Sequence, residues 1–323
     1  MAASWNSPRS SLPARVAAFL ATRTTPGEGI CVGLSGGCDS VVLLHVLAVH
    51  GPREQLRAVH VHHGLSANAD RWADFCTDYC RGLGIDLLVE RVEVDRHSGR
   101  GLEAAAREAR YRVFSWSAGE LLLLGHHQGD QAETLLFNLL RGAGVAGASG
   151  IPLERREQRL RILRPLLDVS RDEIETYARD HRLDWVDDES NCDTGLSRNF
   201  LRHQVLTVLA GRFPAAERNL AQAAGRFAET DALLGELALI DWRAAADGDA
   251  LKLAKLRELS VPRLKNLLRY RLRQLGWHAP AAVRLDEFSR QLLTAGADRH
   301  PALDLAEGRM VAGGGVLRWV ARG

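Results

Sequence analysis

At 323 residues, 46% hydrophobic and 25% charged, the chain has room for one large domain or two ordinary ones and can bury a substantial core. Its net charge of +2 is too mild to argue by itself for a nucleic-acid partner. No apolar run approaches the roughly 18 residues that a membrane span needs, which argues against a membrane protein. Five cysteines (Cys31, Cys38, Cys76, Cys80, Cys192) form no C-x-x-C pair, and "MAASWNSPRSSLPARV" lacks the apolar stretch of a signal peptide. Reduced thiols in a cytoplasmic protein are the expectation.

In chain order, "GICVGLS" reads as a strand and "DSVVLLHVLAVHG" as a helix ended by glycine. "LRAVHVHHG" is a second strand, and "ADRWADFCTDYCRGLG" a helix closed at Gly82 or Gly84. "IDLLVERVEV", "GLEAAAREARYRVFSWSAG", "ELLLLGHH" and "DQAETLLFNLLRGAG" continue the alternation as strand, helix, strand and helix. This predicts an α/β fold, a parallel sheet with helices on both faces, whose ligands bind beyond the carboxyl ends of the strands. The segment 151–212 is less regular: a helix opened by Asp168 or Ser170, then the polar "VDDESNCDTGLSRNFLRHQV" running into a helix. From Phe213 a long helical spacing suggests a bridge between domains. The remainder, 250–323, has helix-like "SVPRLKNLLRYRLRQLG" and strand-like "GRMVAGGGVLRWVARG". The expected organisation is a catalytic domain at 1–212, a linker helix at 213–240 and a small, mostly helical domain at 241–323.

The chemistry starts at "CVGLSGGCDS". Gly36 and Gly37, between strand and helix, let backbone N–H groups approach an anion, while Ser35 and Ser40 add hydroxyls and the helix adds its positive dipole end. This outlines a phosphate cradle, yet it is neither a Walker A loop nor G-x-G-x-x-G. Asp39 in such a loop would repel phosphate unless a divalent cation lies between them, so it suggests Mg²⁺. The competing reading is a glycine turn with Asp39 as a helix cap.

"HVHHGLSANADRW" sets His60, His62 and His63 around a strand end, where packing or solvation is commoner than metal ligation. In "GHHQGDQAETLLFNLLRGAG", His126 and His127 close a strand and Asp130 and Glu133 follow on one helix face. Those carboxylates suit Mg²⁺ or proton transfer, or else they merely answer the helix dipole. Arg107, Arg110 and Arg141 lie on helices directed to the same edge, and Arg198 and Arg202 follow the polar loop, where a guanidinium can clamp phosphate. "RLKNLLRYRLR" carries five cations and no acid, and the chain from 213 onward holds 17 basic against 13 acidic residues. That face suits RNA phosphates, with Tyr270 able to stack on a base; alternatively its arginines only solubilise an amphipathic helix.

"SGGCDS" matches the SGGxDS signature of the N-type ATP pyrophosphatases, which implies cleavage of ATP between the α and β phosphates and adenylation of a substrate oxygen. With HHGLS, GHHxxDQxET…RGxG, RPLL and D-x-SN…RN following in order, the chain resembles the tRNA(Ile)-lysidine synthetase family from about residue 28 to 205. The resemblance implies ATP and Mg²⁺ as cofactors, and L-lysine and a CAU-anticodon tRNA(Ile) as partners. Lysine is joined through its ε-amine to C2 of the wobble cytidine after that base is adenylated, which changes the tRNA's identity from methionine to isoleucine. Carried over, Ser35, Gly36, Gly37, Cys38, Asp39 and Ser40 form the ATP loop, with Asp39 towards the metal. His126, Asp130 and Glu133 line the reaction centre, and Arg107, Arg110 and Arg198 neutralise phosphate and the activated base. One departure is visible: the family often has two acids in HHxDDQ, and the first is here Gly129. A small tRNA-binding domain is compatible with a homodimer that spans the substrate. The alternatives are a base-thiolating relative, which would want accessible cysteines, and a non-catalytic adenine-nucleotide sensor, which would have no need of several acids facing a polyphosphate.

Overall fold

The computed structural model describes residues 10–95, 101–187, 197–296 and 299–322. Two units are present, Met1–Ala228 and Glu229–Gly323. Their boundary falls within the segment 213–240.

The first unit begins with α1 (Leu12–Ala21) and is organised around β1 (Ile30–Gly33), which leads into α2 (Cys38–His50). There follow β2 (Leu56–His62), α3 (Ala69–Leu83), β3 (Asp86–Arg91), α4 (Leu102–Ser117), β4 (Leu121–Leu123), α5 (Gln128–Leu140) and the short α6 (Val145–Ala148). A hairpin of β5 (Glu154–Glu157) and β6 (Leu160–Leu163) precedes α7 (Arg171–Asp180). The unit continues with α8 (Ser197–Phe200), a π-helical turn (Leu201–Leu206), α9 (Thr207–Arg212) and the start of α10 (Ala216–Ala245). The sheet order is β3-β2-β1-β4-β6-β5, with every pairing parallel except β5–β6.

That order dictates where ligands go. The chain steps outward from β1 to β3 and then jumps back to β4 on the other side of β1. Right-handed crossovers therefore place α2 and α3 on one face and α4 on the other. Burial alternates to match: Ile30, Val32, Leu121 and Leu123 pack with α2, whereas Cys31, Leu122, Val59 and Ile162 pack with Val113 and Phe114 of α4. Helix α2 is apolar on nearly every side, with Val41 to Leu44, Val46 and Leu47 all buried, as expected of a helix sealed inside a core. The strand-order reversal between β1 and β4 opens a crevice at their carboxyl ends, and the loops carrying "SGGCDS" and "GHHQGD" both leave from there.

The second unit holds the rest of α10, β7 (Ala246–Asp247), β8 (Ala250–Lys252), α11 (Leu253–Leu256), α12 (Val261–Gln274), α13 (Ala282–Thr294), β9 (Ala302–Asp304), β10 (Gly308–Gly313) and β11 (Val316–Ala321). Its sheet, β7-β8-β11-β10-β9, is wholly antiparallel. Leu264, Leu267, Leu268 and Leu272 of α12 pack with Leu285, Phe288 and Leu292 of α13 onto Leu251, Met310 and Leu317. The unit thus contains more sheet than its sequence pattern indicated.

Four of the five cations of α12 have partners within this unit; Arg269 is exposed and has none among the described residues. Arg263 pairs with Asp241, which is 2% exposed, and Lys265 pairs with Asp286 (2.7 Å). Arg273 pairs with Asp231 (2.9 Å), and Arg271 contacts Asp249 (3.5 Å) while its guanidinium lies over the ring of Trp242 (4.6 Å). The helix itself lacks acids, but α10 and its neighbours supply them.

Candidate active site

The loop after β1 is tied by its own hydroxyls. Ser40 Oγ accepts the Ser35 amide (3.1 Å) and donates to the Gly37 carbonyl (2.9 Å), and Ser35 Oγ accepts the Gly37 amide (3.3 Å). Gly36 sits at φ +91°, a conformation that L side chains rarely adopt. Gly37, as the N-cap of α2, brings no capping side chain. The amides of Cys38 and Asp39 have no partner among the described residues, so an open helix N-terminus faces the crevice, ready for an anion.

Asp39 does not cap the helix. Both of its carboxylate oxygens accept from Arg171 Nη1 (2.8 and 2.9 Å), while Arg171 Nε holds Glu175 (2.8 Å). Burial raises the Asp39 carboxyl above its ordinary value, although His127 and Arg171 pull the other way.

Across the crevice, His127 N-caps α5 in a reciprocal box. Its Nδ1 accepts the Gly129 amide (2.9 Å), and Asp130 Oδ2 accepts the His127 amide (2.8 Å). With Nδ1 used as acceptor, the ring proton belongs on Nε2, which lies 3.9 Å from Asp39 Oδ2 and 3.8 Å from Asp130 Oδ2. One imidazole N–H thus stands between the two carboxylates. Asp130 also contacts Arg202 Nη2 (3.2 Å), and Arg202 Nε donates to Glu133 Oε1. Burial pushes Asp130 up, but His127, His126, the His127 amide and Arg202 outweigh it and hold the group below its ordinary value. Glu133, only 4% exposed, goes the other way: burial exceeds the pull of Arg202, and its carboxyl is raised.

His126 follows β4 and accepts from Arg164 Nε (3.2 Å), leaving Nε2 to carry its proton. Arg164 is itself 1% exposed and donates to the Pro152 carbonyl (2.6 Å). Burial pushes His126 down to about 4; Asp130 opposes this, and Arg164, Arg107 and Arg110 reinforce it. His63 is pushed to about 4 first by burial and then by Arg110, whose Nε donates to His63 Nε2 (3.4 Å). The other strand-end histidines are packed: His60 Nδ1 bonds the Leu34 carbonyl (2.8 Å), and His62 lies against Asp70 (3.1 Å).

These shifts set an acid limit on stability. Between about 4 and the ordinary histidine value of 6.5, the unfolded chain binds protons that native His63 and His126 refuse, so stability rises with pH across that window. Asp39 and Glu133, raised by burial, oppose this just above the ordinary carboxyl range. Melting temperature is expected to climb towards neutrality in low-salt buffer, and His63→Gln is expected to flatten the climb.

The structure brings the loop Ser35–Ser40, Asp130 and Glu133 to one crevice, with His126 beside them. Arg107 and Arg110 sit on α4 near His126 and His63; Arg107 stacks on Tyr111 (4.9 Å). Arg198 lies over the Phe137 ring (5.8 Å), and the guanidinium joining the two acids belongs to Arg202. Arg171 and Arg164 escaped sequence reasoning because their partners are remote in sequence. The D-x-SN motif at 188–196 lies outside the described residues.

Gly129 has a structural reason. A Cβ there would come within 2.7 Å of His127 Cε1 and 3.1 Å of its Nδ1, so any side chain must move the capping ring. Gly129→Ala is expected to lower stability by about 1 kcal/mol, the usual worth of an N-cap, where an unobstructed helical glycine would gain a similar amount. Urea unfolding reads the sign directly.

The PP-loop domain family matches residues 9–209, and the TilS substrate binding domain family matches residues 251–320. The tRNA(Ile)-lysidine synthase of Pseudomonas aeruginosa is 44% identical over 318 residues, covering 90% of this chain and 69% of the relative. This chain belongs to the tRNA(Ile)-lysidine synthase family. Within the family, the synthases of Alkalilimnicola ehrlichii (45% identical) and Aromatoleum aromaticum (48% identical) match 88% and 85% of the chain. The chain spans 65% of the length of each of these two relatives. Among solved structures, the U34-tRNA thiolase NcsA of Methanococcus maripaludis aligns with a TM-score of 0.55 at 20% identity, over 68% of this chain and 78% of its own, and shares the fold. No helix among the described residues is long and apolar enough to cross a membrane.

Proposed function

We propose that this chain ligates L-lysine to C2 of the wobble cytidine of a CAU-anticodon tRNA(Ile), consuming ATP and releasing AMP and pyrophosphate. The observation that carries the reading is the meeting of an open anion loop with the Asp130–Arg202–Glu133 group across one crevice, in a chain of this family. In the first step the cytidine O2 attacks the α-phosphorus, and pyrophosphate leaves into the loop of Ser35 to Ser40. In the second, the lysine ε-nitrogen forms a bond to C2 while the C2–O2 bond breaks and O2 departs with AMP. The amine must lose its proton to attack. Asp130, held ionised, attracts the ammonium, and Glu133, with its raised carboxyl, accepts the proton. His126 is neutral at physiological pH and offers an Nε2 hydrogen to the base. Arg107, Arg110 and Arg198 supply positive charge to phosphate and RNA around the crevice.

Mg²⁺ fits the residues present. Asp39 offers hard carboxylate oxygens at the mouth of the phosphate loop, and Asp130 lies on the far side of His127. Mg²⁺ commonly takes one or two carboxylates plus substrate phosphates rather than a cage of protein ligands. When bound it would neutralise charge on the polyphosphate, with Arg171 giving up part of its hold on Asp39.

The described cysteines, Cys31, Cys38, Cys76 and Cys80, are all buried, and burial raises each thiol, to about 12 at Cys76. A sulfur-carrying role is therefore disfavoured among them. A tRNA substrate and these small molecules imply a cytoplasmic location, and an isologous homodimer would let a second subunit help span the tRNA. The test is transfer of radiolabelled lysine to unmodified CAU-anticodon tRNA(Ile). Acid-stable label that requires ATP and the wobble cytidine supports the reading. AMP formation without label would redirect it to another nucleophile.

A further inference from the structure

Four of the five α12 cations are paired within the second unit, and positive charge also gathers away from that helix, at a cavity of about 300 Å³ between the end of α13, the start of α11 and the β10–β11 turn. Arg257, Arg299 and His300 line it, and none of the described residues lining it is acidic.

Its walls are arranged as well as charged. Arg257 donates through Nη2 to the Ala295 carbonyl (2.6 Å) and through Nε to the Leu292 carbonyl (3.4 Å). The guanidinium is thus fixed by the backbone, and among the described residues no acid pairs with it and its Nη1 group has no acceptor. Opposite, Gly314 and Gly315, with φ of +58° and +78°, make a two-residue turn that puts bare backbone on the wall. His300 Nδ1 would lie 3.5 Å from a Cβ at Gly313, so the ring closes one side. A fixed guanidinium at Arg257, with the exposed Arg299 and a glycine turn beside it, suits a compact, singly charged tetrahedral oxyanion.

We propose that this cavity holds a backbone phosphodiester of the RNA substrate, as an anchoring point of the second unit separate from the phosphate loop. The proposal rests on the tRNA-ligase reading for the identity of the RNA, but its test does not depend on lysine transfer.

The test is filter binding of full-length tRNA to the full chain over a range of KCl, comparing wild type, Arg299→Gln and the double variant Arg257→Gln/Arg299→Gln. Arg290→Gln serves as control, since Arg290 is paired with Glu287 (2.6 Å) and does not line the cavity. Each lost phosphate contact is expected to reduce the slope of log K against log salt by about one unit, with affinity falling roughly three- to tenfold at moderate salt. Arg299 is exposed and makes no ion pair among the described residues, so Arg299→Gln should melt with wild type, which keeps the test valid if the Arg257 change loosens α13. An unchanged slope in Arg299→Gln and the double variant, with lysine transfer intact, overturns the cavity assignment and leaves the ligase reading standing. A reduced slope in a protein that transfers no lysine supports the RNA subsite and fails the ligase reading alone. If inorganic phosphate raised the melting temperature of wild type more than that of the variants, and the tRNA slope did not move, the ligand would be a free phosphate and the RNA assignment would fall.

Discussion

Asp39→Asn is expected to lower tRNA-dependent pyrophosphate release by on the order of 10²–10³-fold while leaving the fold intact. The substitution keeps the shape of the side chain and a carbonyl oxygen for Arg171, and Arg171 keeps Glu175 at 2.8 Å. What is lost is the Asp39 carboxylate at the mouth of the open helix N-terminus, with its capacity to hold a cation against the polyphosphate. A melting temperature close to wild type, together with a collapse in rate, separates this from unfolding. Near wild-type turnover would remove Asp39 from the account.

Arg202→Met is expected to cost stability as well as activity. Glu133 is 4% exposed and has Arg202 as its hydrogen-bonded cation, so the variant leaves a carboxyl buried without its partner. The penalty is on the order of 3 kcal/mol, because an unpaired buried charge costs more than the pair contributes. Part of it should be recovered by Glu133→Gln in the same background, and a double-mutant cycle by urea unfolding measures the coupling. Additive effects would mean that Arg202 acts through Asp130 alone.

How much of this was legible in the residues depends on the range of the interaction concerned. The loop at Ser35 to Ser40 could be read because its chemistry is local: glycines, hydroxyls and a helix start within six positions. Asp130 and Glu133 were legible for the same reason, being one helical turn apart. The partners that set their charge states were not. Arg171 is 132 residues from Asp39, and Arg202 is 69 from Glu133, so only the folded sheet order brings them together. The β5–β6 hairpin was hidden differently. Its first strand reads Glu-Arg-Arg-Glu on a sheet edge, and its turn uses Gln158 at φ +54° where a glycine or asparagine would have signalled it. The basic helix α12 differs again: it carries no acid of its own, and the Asp231, Asp241, Asp249 and Asp286 that pair four of its five cations come from other elements of the same unit.

The central claim is that the crevice between β1 and β4 turns a base oxygen into an adenylate before lysine attacks. The direct measurement uses tRNA carrying ¹⁸O at O2 of its wobble cytidine, with ATP, Mg²⁺ and lysine, and mass analysis of the AMP released. The account predicts one ¹⁸O in AMP for each lysine transferred. Unlabelled AMP alongside lysinylated RNA would contradict it, because the bond to O2 would then have broken without that oxygen ever reaching the α-phosphorus.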